Sequence, residues 1–174
     1  LQATRDLLTG MPNRRWFVDN TPVILEPAQA IMIIDVDHFK GINDSFGHDV
    51  GDLCLQQTGQ HLRRCLGNRP KLARIGGEEF AVYFAGYDLQ SVSAIAQDIS
   101  NGFHFHTGQG GSRRVTASVG IAFLETATAR SDAMKLADQA AYRAKAAGRA
   151  CFAVASNPVG ITQDGLSAMT RQAG

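Results

Sequence analysis

The sequence contains no apolar run near the roughly twenty residues needed to span a bilayer, and no stretch reads as a signal peptide. It has no basic tract of five or more residues, and its formal net charge is only +1. Both features argue against nucleic acid as a partner and against a helix lying on a membrane surface. Cysteine is scarce: there are only Cys54, Cys65 and Cys151, with no CxxC spacing. If one helix carries Cys54 and Cys65, they lie about 16 Å apart at about 1.5 Å per residue, too far for a disulfide. Buried thiols in a reducing cytoplasm are the expectation. With 174 residues the chain is long enough for one domain with an adequate core. It opens at Leu1 rather than at a methionine, which suggests an excised C-terminal module. Residues 1–8 are expected to end a helix arriving from an upstream sensory region, and residues 9–155 to form the domain. Residues 156–174 mix Gly, Pro, Ser, Thr and Gln without a period and are expected to be a loose tail.

What is present is strongly patterned. Ala30 to Ile34 is a continuous apolar run, the mark of a strand buried on both faces, and it ends in Asp35-Val36-Asp37. Side chains alternate along a strand, so Asp35 and Asp37 should share a side. Leu72 to Phe84 holds two apolar, β-branched or aromatic runs around Gly76-Gly77, which reads as a hairpin with a two-residue turn. Glycines there allow positive φ and the close approach of a phosphate. Glu78 and Glu79 follow at once. Carboxylates at the end of a buried strand are costly unless a cation meets them. If the two segments are neighbours, Asp35 and Glu78 converge on a hard-metal site of the magnesium type.

The rest of the chain supplies covering helices. Arg14 to Val18 starts a short one. Residues 47–66 carry Val50, Leu53, Cys54, Leu62, Cys65 and Leu66 near helical spacing, and residues 89–103 carry Val92, Ile95, Ala96, Ile99 and Phe103 on one stripe. Ser131 is the expected N-cap of a last long helix, whose Met134, Ala137, Ala140, Ala141 and Ala144 permit close packing on a sheet. Strands are expected near 30–36, 71–75, 78–84, 113–123 and 150–154, the fourth of them half-buried by its alternation. His104 and His106 read as strand-edge or loop residues rather than a metal clip. The arrangement is α+β.

Five segments in order carry a family resemblance. Leu8-Thr9-Gly10-Met11-Pro12-Asn13-Arg14-Arg15, Ile34 to Asp44 (a DxDxFKxIND pattern), Gly47 to Asp52 (GHxxGD), Gly76 to Phe80 (GGEEF) and Tyr142 to Lys145 with Gly148-Arg149 resemble the motifs of the GGDEF family. The resemblance implies a palm-like central sheet of the nucleotide-cyclase and polymerase type, with the GGEEF hairpin antiparallel within it and helices covering it. It also implies a bacterial diguanylate cyclase, which condenses two GTP into cyclic di-GMP. Magnesium, with manganese as a substitute, would be held by Asp35, the carbonyl of Val36 and Glu78. The catalytic residues would be Glu78, Lys40 and, secondarily, Glu79, which in an ideal strand faces away from Glu78. Asn43 and Asp52 would read guanine, and Phe39, His48, Gly76, Gly77, Lys145 and Arg149 would complete the GTP site. A carboxylate at 52 suits the N1–H and N2–H of guanine, so the base would be guanine rather than adenine.

One domain holds one GTP, so closing a symmetric product implies a facing homodimer. The location would be cytoplasmic, with a membrane tether conceivable in the full-length protein. A regulatory module that binds GTP without catalysis, a cyclase for another base and a dimerisation scaffold are the competing readings. The intact set Asp35, Lys40, Asn43, Asp52, Glu78 and Lys145 opposes them. One family feature is missing: the RxxD product-inhibition motif, whose arginine and aspartate positions are here Gly67 and Pro70.

Overall fold

The apolar run ending at the first aspartate pair becomes the central strand. In the computed structural model, which describes residues 3–156, the elements are α1 (Arg14–Asn20), β1 (Ile24–Leu25), β2 (Ala30–Val36), α2 (Phe39–Phe46), α3 (His48–Leu66), β3 (Lys71–Arg74), β4 (Glu79–Phe84), α4 (Leu89–Asn101), β5 (Phe103–His106), β6 (Ser112–Val115), β7 (Ala117–Phe123), β8 (Thr128–Ala129), α5 (Arg130–Ala146) and β9 (Phe152–Val154). A five-stranded sheet runs in the order β3-β4-β2-β7-β9. Only β7–β9 is parallel. This mixed sheet, with the β3–β4 hairpin beside the central strand, is the palm-like α+β architecture anticipated from the sequence.

Alternation on β2 divides the interior into two cores. Ala30, Met32, Ile34 and Val36 pack with α3 and α4 residues such as Cys54, Leu62, Val92 and Ile99. Ile31 and Ile33 pack on the other face with Phe17 of α1 and with Ala133, Ala137 and Ala141 of α5. The alanine face brings α5 close to the sheet. A Cβ added at Gly120 of β7 would stand 1.9 Å from Ala137 O and 2.3 Å from Ala141 N, so only glycine fits there.

Several elements differ from the sequence reading, each for a tertiary reason. Residues 3–8 are not helical; Arg5 bridges Pro12, and Asp6 accepts from Thr9 N at 2.8 Å and Thr9 Oγ1. The helix expected over 89–103 ends at Asn101, because Gly102 (φ 77) turns the chain against Val115 and Phe103 opens β5. The strand expected over 113–123 breaks at Thr116: β6 pairs with β5 in a separate ribbon, while β7 joins the main sheet. β7 is buried on both faces rather than half-buried, since its small residues Ser118, Gly120 and Ala122 lie under α5. Ser131 does not cap α5. The helix starts at Arg130 straight out of the β1–β8 pairing, and Arg130 Nη1 donates to the carbonyls of Val18 and Thr21 at 2.9 Å each. The segment Phe39–Phe46 is a helix of its own that ends at Gly47 (φ 89), where α3 begins. The thiols of Cys54, Cys65 and Cys151 are free. Nearly all of the tail expected over 156–174 lies outside the described residues. Among the described residues, no helix is long and apolar enough to cross a membrane.

Candidate active site

The carboxylates gather where the central strand meets the hairpin. In the β2–β4 register Asp35 lies directly opposite Glu79, and directly opposed residues in an antiparallel pair share a face. Glu79 therefore stands on Asp35's side. The alternation argument that sent it away from Glu78 fails because Glu78 precedes the strand and sits in the turn. The carbonyl of Glu78 accepts from Val36 N at 3.2 Å, which locks the turn beside the end of β2.

That turn is wider than two residues. Ile75 N donates to Glu79 O at 2.9 Å, leaving Gly76, Gly77 and Glu78 as the loop, and neither glycine has a positive φ. Arg74 shapes it instead: its Nε donates to both glycine carbonyls at 3.1 Å, its Nη2 to Gly77 O at 2.7 Å and its Nη1 to Asp6 at 2.9 Å. Gly77 is used for bareness, whereas a Cβ at Gly76 would stand 3.0 Å from Glu79 Oε2. A Cβ at Gly77 would meet nothing within 4 Å, so a ligand can reach the backbone there.

Electrostatically the cluster is short of positive charge. Burial, reinforced by the neighbouring Asp35 charge, raises the pKa of both Glu78 and Glu79. Burial also raises Asp35, even though Lys145 Nζ donates to Asp35 Oδ2 at 2.7 Å. Burial works against the Lys145 charge in turn, but the Asp35 bond and the carboxylates of Glu78 and Glu79 outweigh it and hold that pKa up. The donor set accordingly suits a hard divalent cation: two carboxylates and the end of a strand. No group of three or more His, Cys, Asp or Glu side chains forms a complete cage among the described residues. His104 and His106 lie exposed on β5, outside the cluster.

The other residues named from the sequence fall into three places. Asn43 on α2 and Asp52 in the second turn of α3 flank the α2–α3 corner, with His48 exposed there and Phe39 buried. Lys40 is turned away from the acids, and its Nζ lies 3.1 Å from Asp44 Oδ2 with the side chain 90% exposed. Arg149 is exposed in the turn after α5, with φ of 63.

Sequence reasoning underused Asp37. It lies one residue past β2, in the turn before α2, and its carboxylate is satisfied within the protein. Thr116 Oγ1 donates to it at 2.7 Å, Ser118 Oγ at 2.6 Å and Ala150 N at 2.9 Å. Asp37 thus ties the Arg149 turn to the end of β2, and holds Arg149 and Ala150 at their positive φ values. The DxD spacing was the available signal, but its partners lie too far along the chain for any local pattern to reveal. A cavity of about 410 Å³ opens behind the hairpin, with Glu79, Asp138 and Arg14 among its walls.

Comparison with known proteins agrees with this geometry. The family model described as "Diguanylate cyclase, GGDEF domain" matches residues 3–151. The chain is 37% identical over 164 residues to YhcK of Bacillus subtilis (strain 168), covering 87% of this chain and 46% of that protein. It is 35% identical over 156 residues to the probable diguanylate cyclase DgcT of Escherichia coli (strain K12), covering 84% and 34% respectively. The chain therefore spans less than half the length of either relative. Among solved structures, the GGDEF domain of TpbB (YfiN) from Pseudomonas aeruginosa superposes with a TM-score of 0.77 at 30% identity, covering 87% of this chain and 94% of that one. A palm-like sheet that carries the GGEEF acids beside the central strand, together with a family match over nearly all the described residues, leads to one assignment: the chain belongs to the GGDEF family of diguanylate cyclase domains.

Proposed function

We propose that the domain is an active diguanylate cyclase. Each copy binds one GTP, and two copies face each other about a two-fold axis. The 3′-oxygen of each nucleotide bonds to the α-phosphorus of the other, and the bond to pyrophosphate breaks. Two GTP thus give one cyclic di-GMP, two pyrophosphates and two protons. The observation that carries this reading is the convergence of Asp35, Glu78, Glu79 and Lys145 beside the turn whose Gly77 is bare.

Transfer of this kind needs positioning and charge neutralisation more than covalent help. A magnesium ion, or manganese in its place, would be held by Asp35, the Val36 carbonyl and Glu78; when bound it neutralises phosphate charge and eases ionisation of the 3′-hydroxyl. Glu78, the acid in the turn beside the end of β2, would accept the proton of that hydroxyl. Lys145 and Arg149 bring positive charge to the triphosphate tail, and Lys40, once released from Asp44, stabilises charge developing in the transition state. The Asp52 carboxylate accepts from guanine N1–H and N2–H, and Asn43 pairs with the purine edge. GTP as substrate places the domain in the cytoplasm.

The decisive experiment incubates the protein with GTP and magnesium and separates the nucleotides. Cyclic di-GMP should appear, with specific activity rising with protein concentration because the site is completed by a second copy. GTP binding with no product at any concentration would mark a regulatory module instead. Activity per molecule that does not depend on concentration in a monomeric preparation would exclude the facing pair.

Base choice supplies another test. Asp52→Ser removes the acceptor for two guanine donors, so kcat/KM for GTP should fall by on the order of 10²-fold and the GTP/ATP preference should shrink. An unchanged ratio refutes the role of Asp52. Product inhibition of the RxxD type should be weak. Gly67 offers no guanidinium and Pro70 no carboxylate. Arg69 lies 5.1 Å over the Tyr87 ring, and Arg74 is engaged by Asp6 and the hairpin carbonyls. Adding cyclic di-GMP at low micromolar levels to an initial-rate assay should leave the rate nearly unchanged; full inhibition there would contradict this reading.

A further inference from the structure

We infer that Gly51 is a positioning residue that fixes the amide of Asn43 for guanine, an inference that rests on the base-reading role proposed for Asn43. Gly51 is buried in the first turns of α3, and its φ is not positive. Its backbone conformation therefore has no need of glycine, and alanine would form the helix better. What needs the glycine is a side chain from the neighbouring helix. A Cβ placed at Gly51 would stand 1.7 Å from Asn43 Oδ1 and 2.9 Å from Asn43 Cγ, far inside any non-bonded contact. The Asn43 amide lies in the slot that the missing side chain leaves across the α3 backbone. The ring of Phe39, 3.4 Å from the same point, forms another wall.

The slot also dictates which end of the amide faces out. Asn43 Oδ1 is buried with no hydrogen-bond partner, while the side chain as a whole is only half-buried. Native proteins tolerate few such orphans, and they call for a specific explanation. Here the oxygen is held inward so that the NH₂ end is presented, a donor for a purine ring acceptor. Asp52, the residue directly after Gly51, presents an acceptor from the same turn. One helix turn thus sets donor and acceptor together, and the pattern they form is read by guanine. The comparison with Gly59 on the same helix is informative. Its slot is filled by Met11 Sδ, 2.7 Å from the Cβ position, which is a packing use with no polar atom at stake.

The test is Gly51→Ala, alone and combined with Asn43→Ala. The readouts are the melting midpoint, the Asn43 side-chain NH₂ signals in a ¹⁵N-correlated NMR spectrum, and calorimetric titration with GDP and with ADP, which probe base reading without turnover. The group that must move is the far end of a side chain, so Gly51→Ala should melt no lower than the native protein. The Asn43 signals should shift, and GDP affinity should fall on the order of tenfold, the loss of about one hydrogen bond. ADP, whose adenine offers Asp52 no N1–H or N2–H donor, should bind weakly to native and variant protein alike. Adding Asn43→Ala should cause no further loss, because both changes remove the same contact.

Unmoved Asn43 signals, or losses that add independently, overturn the proposal. If Gly51→Ala melts lower, the double variant decides. Recovery to at least the stability of Asn43→Ala supports the clash with Asn43, whereas a double variant as unstable as Gly51→Ala overturns it. If Asn43→Ala by itself leaves GDP affinity untouched, the guanine-reading role of Asn43 is what has failed, and this role for Gly51 falls with it even where the signals shift.

Discussion

Glu78→Gln will keep the fold and lower the rate of cyclic di-GMP formation on the order of 10²-fold or more. The substitution preserves shape and removes one charge from a cluster whose proposed work is to hold a cation against phosphate. Losing that interaction in the transition state costs about 2.7 kcal/mol or more at this fold-change. Stability should move the other way. Burial and the Asp35 charge raise the folded-state pKa of Glu78 above its ordinary value. A carboxylate with a raised folded pKa binds its proton more tightly in the native state, so its ionisation costs stability as pH rises through and above the ordinary glutamate range. Glutamine removes that cost. At neutral pH the variant should melt at the same temperature as the native protein or slightly higher, and at pH values well below that range the difference should vanish. Full activity in a folded Glu78→Gln protein would sink the assignment of Glu78. A marked loss of stability at neutral pH would show that the carboxylate is a structural group instead.

The largest stability effect belongs to Gly120→Ala. The added methyl would meet Ala137 O, Ala141 N and Ala140 C at 1.9, 2.3 and 3.0 Å. These are backbone atoms of α5, and a helix cannot yield locally as a side-chain tip can. The helix must lift off the sheet, which opens the packing of Ile31, Ile33 and Ala122 against Ala133, Ala137 and Ala141. The expected cost is about 3 kcal/mol or more, at the upper end of overpacking effects. Activity should suffer as well, because α5 carries Lys145 to Asp35. Denaturant midpoints for native and variant protein measure the first effect. Gly77→Ala is the control: nothing lies within 4 Å of its Cβ position and its φ is not positive, so its stability should be unchanged. A Gly120→Ala protein as stable as this control would mean that α5 does not press on β7 as described.

The sequence by itself determined the elements whose character is local. The apolar run Ala30 to Ile34 marked a strand buried on both faces, and the stripes on residues 47–66 and 89–103 marked covering helices. The acids at the strand end and hairpin were legible because a buried strand does not otherwise carry them. Tertiary structure decided what lies across each face. Alternation along 113–123 described one half-buried strand, yet α5 covers the small-residue face and the hydrogen bonds of Thr116 and Ser118 to Asp37 mark where the chain changes sheet. Glu79 was sent to the wrong side because the width of the turn is set by Arg74 reaching back to two carbonyls, and Arg74 is itself held by Asp6 from the other end of the chain. The Asn43 slot depends likewise on a glycine eight residues on, in a different helix. Helical and strand periodicity report the path of the chain near each residue. Hydrogen bonds and steric contacts between segments far apart in sequence have no period, and they fix where the site residues finally stand.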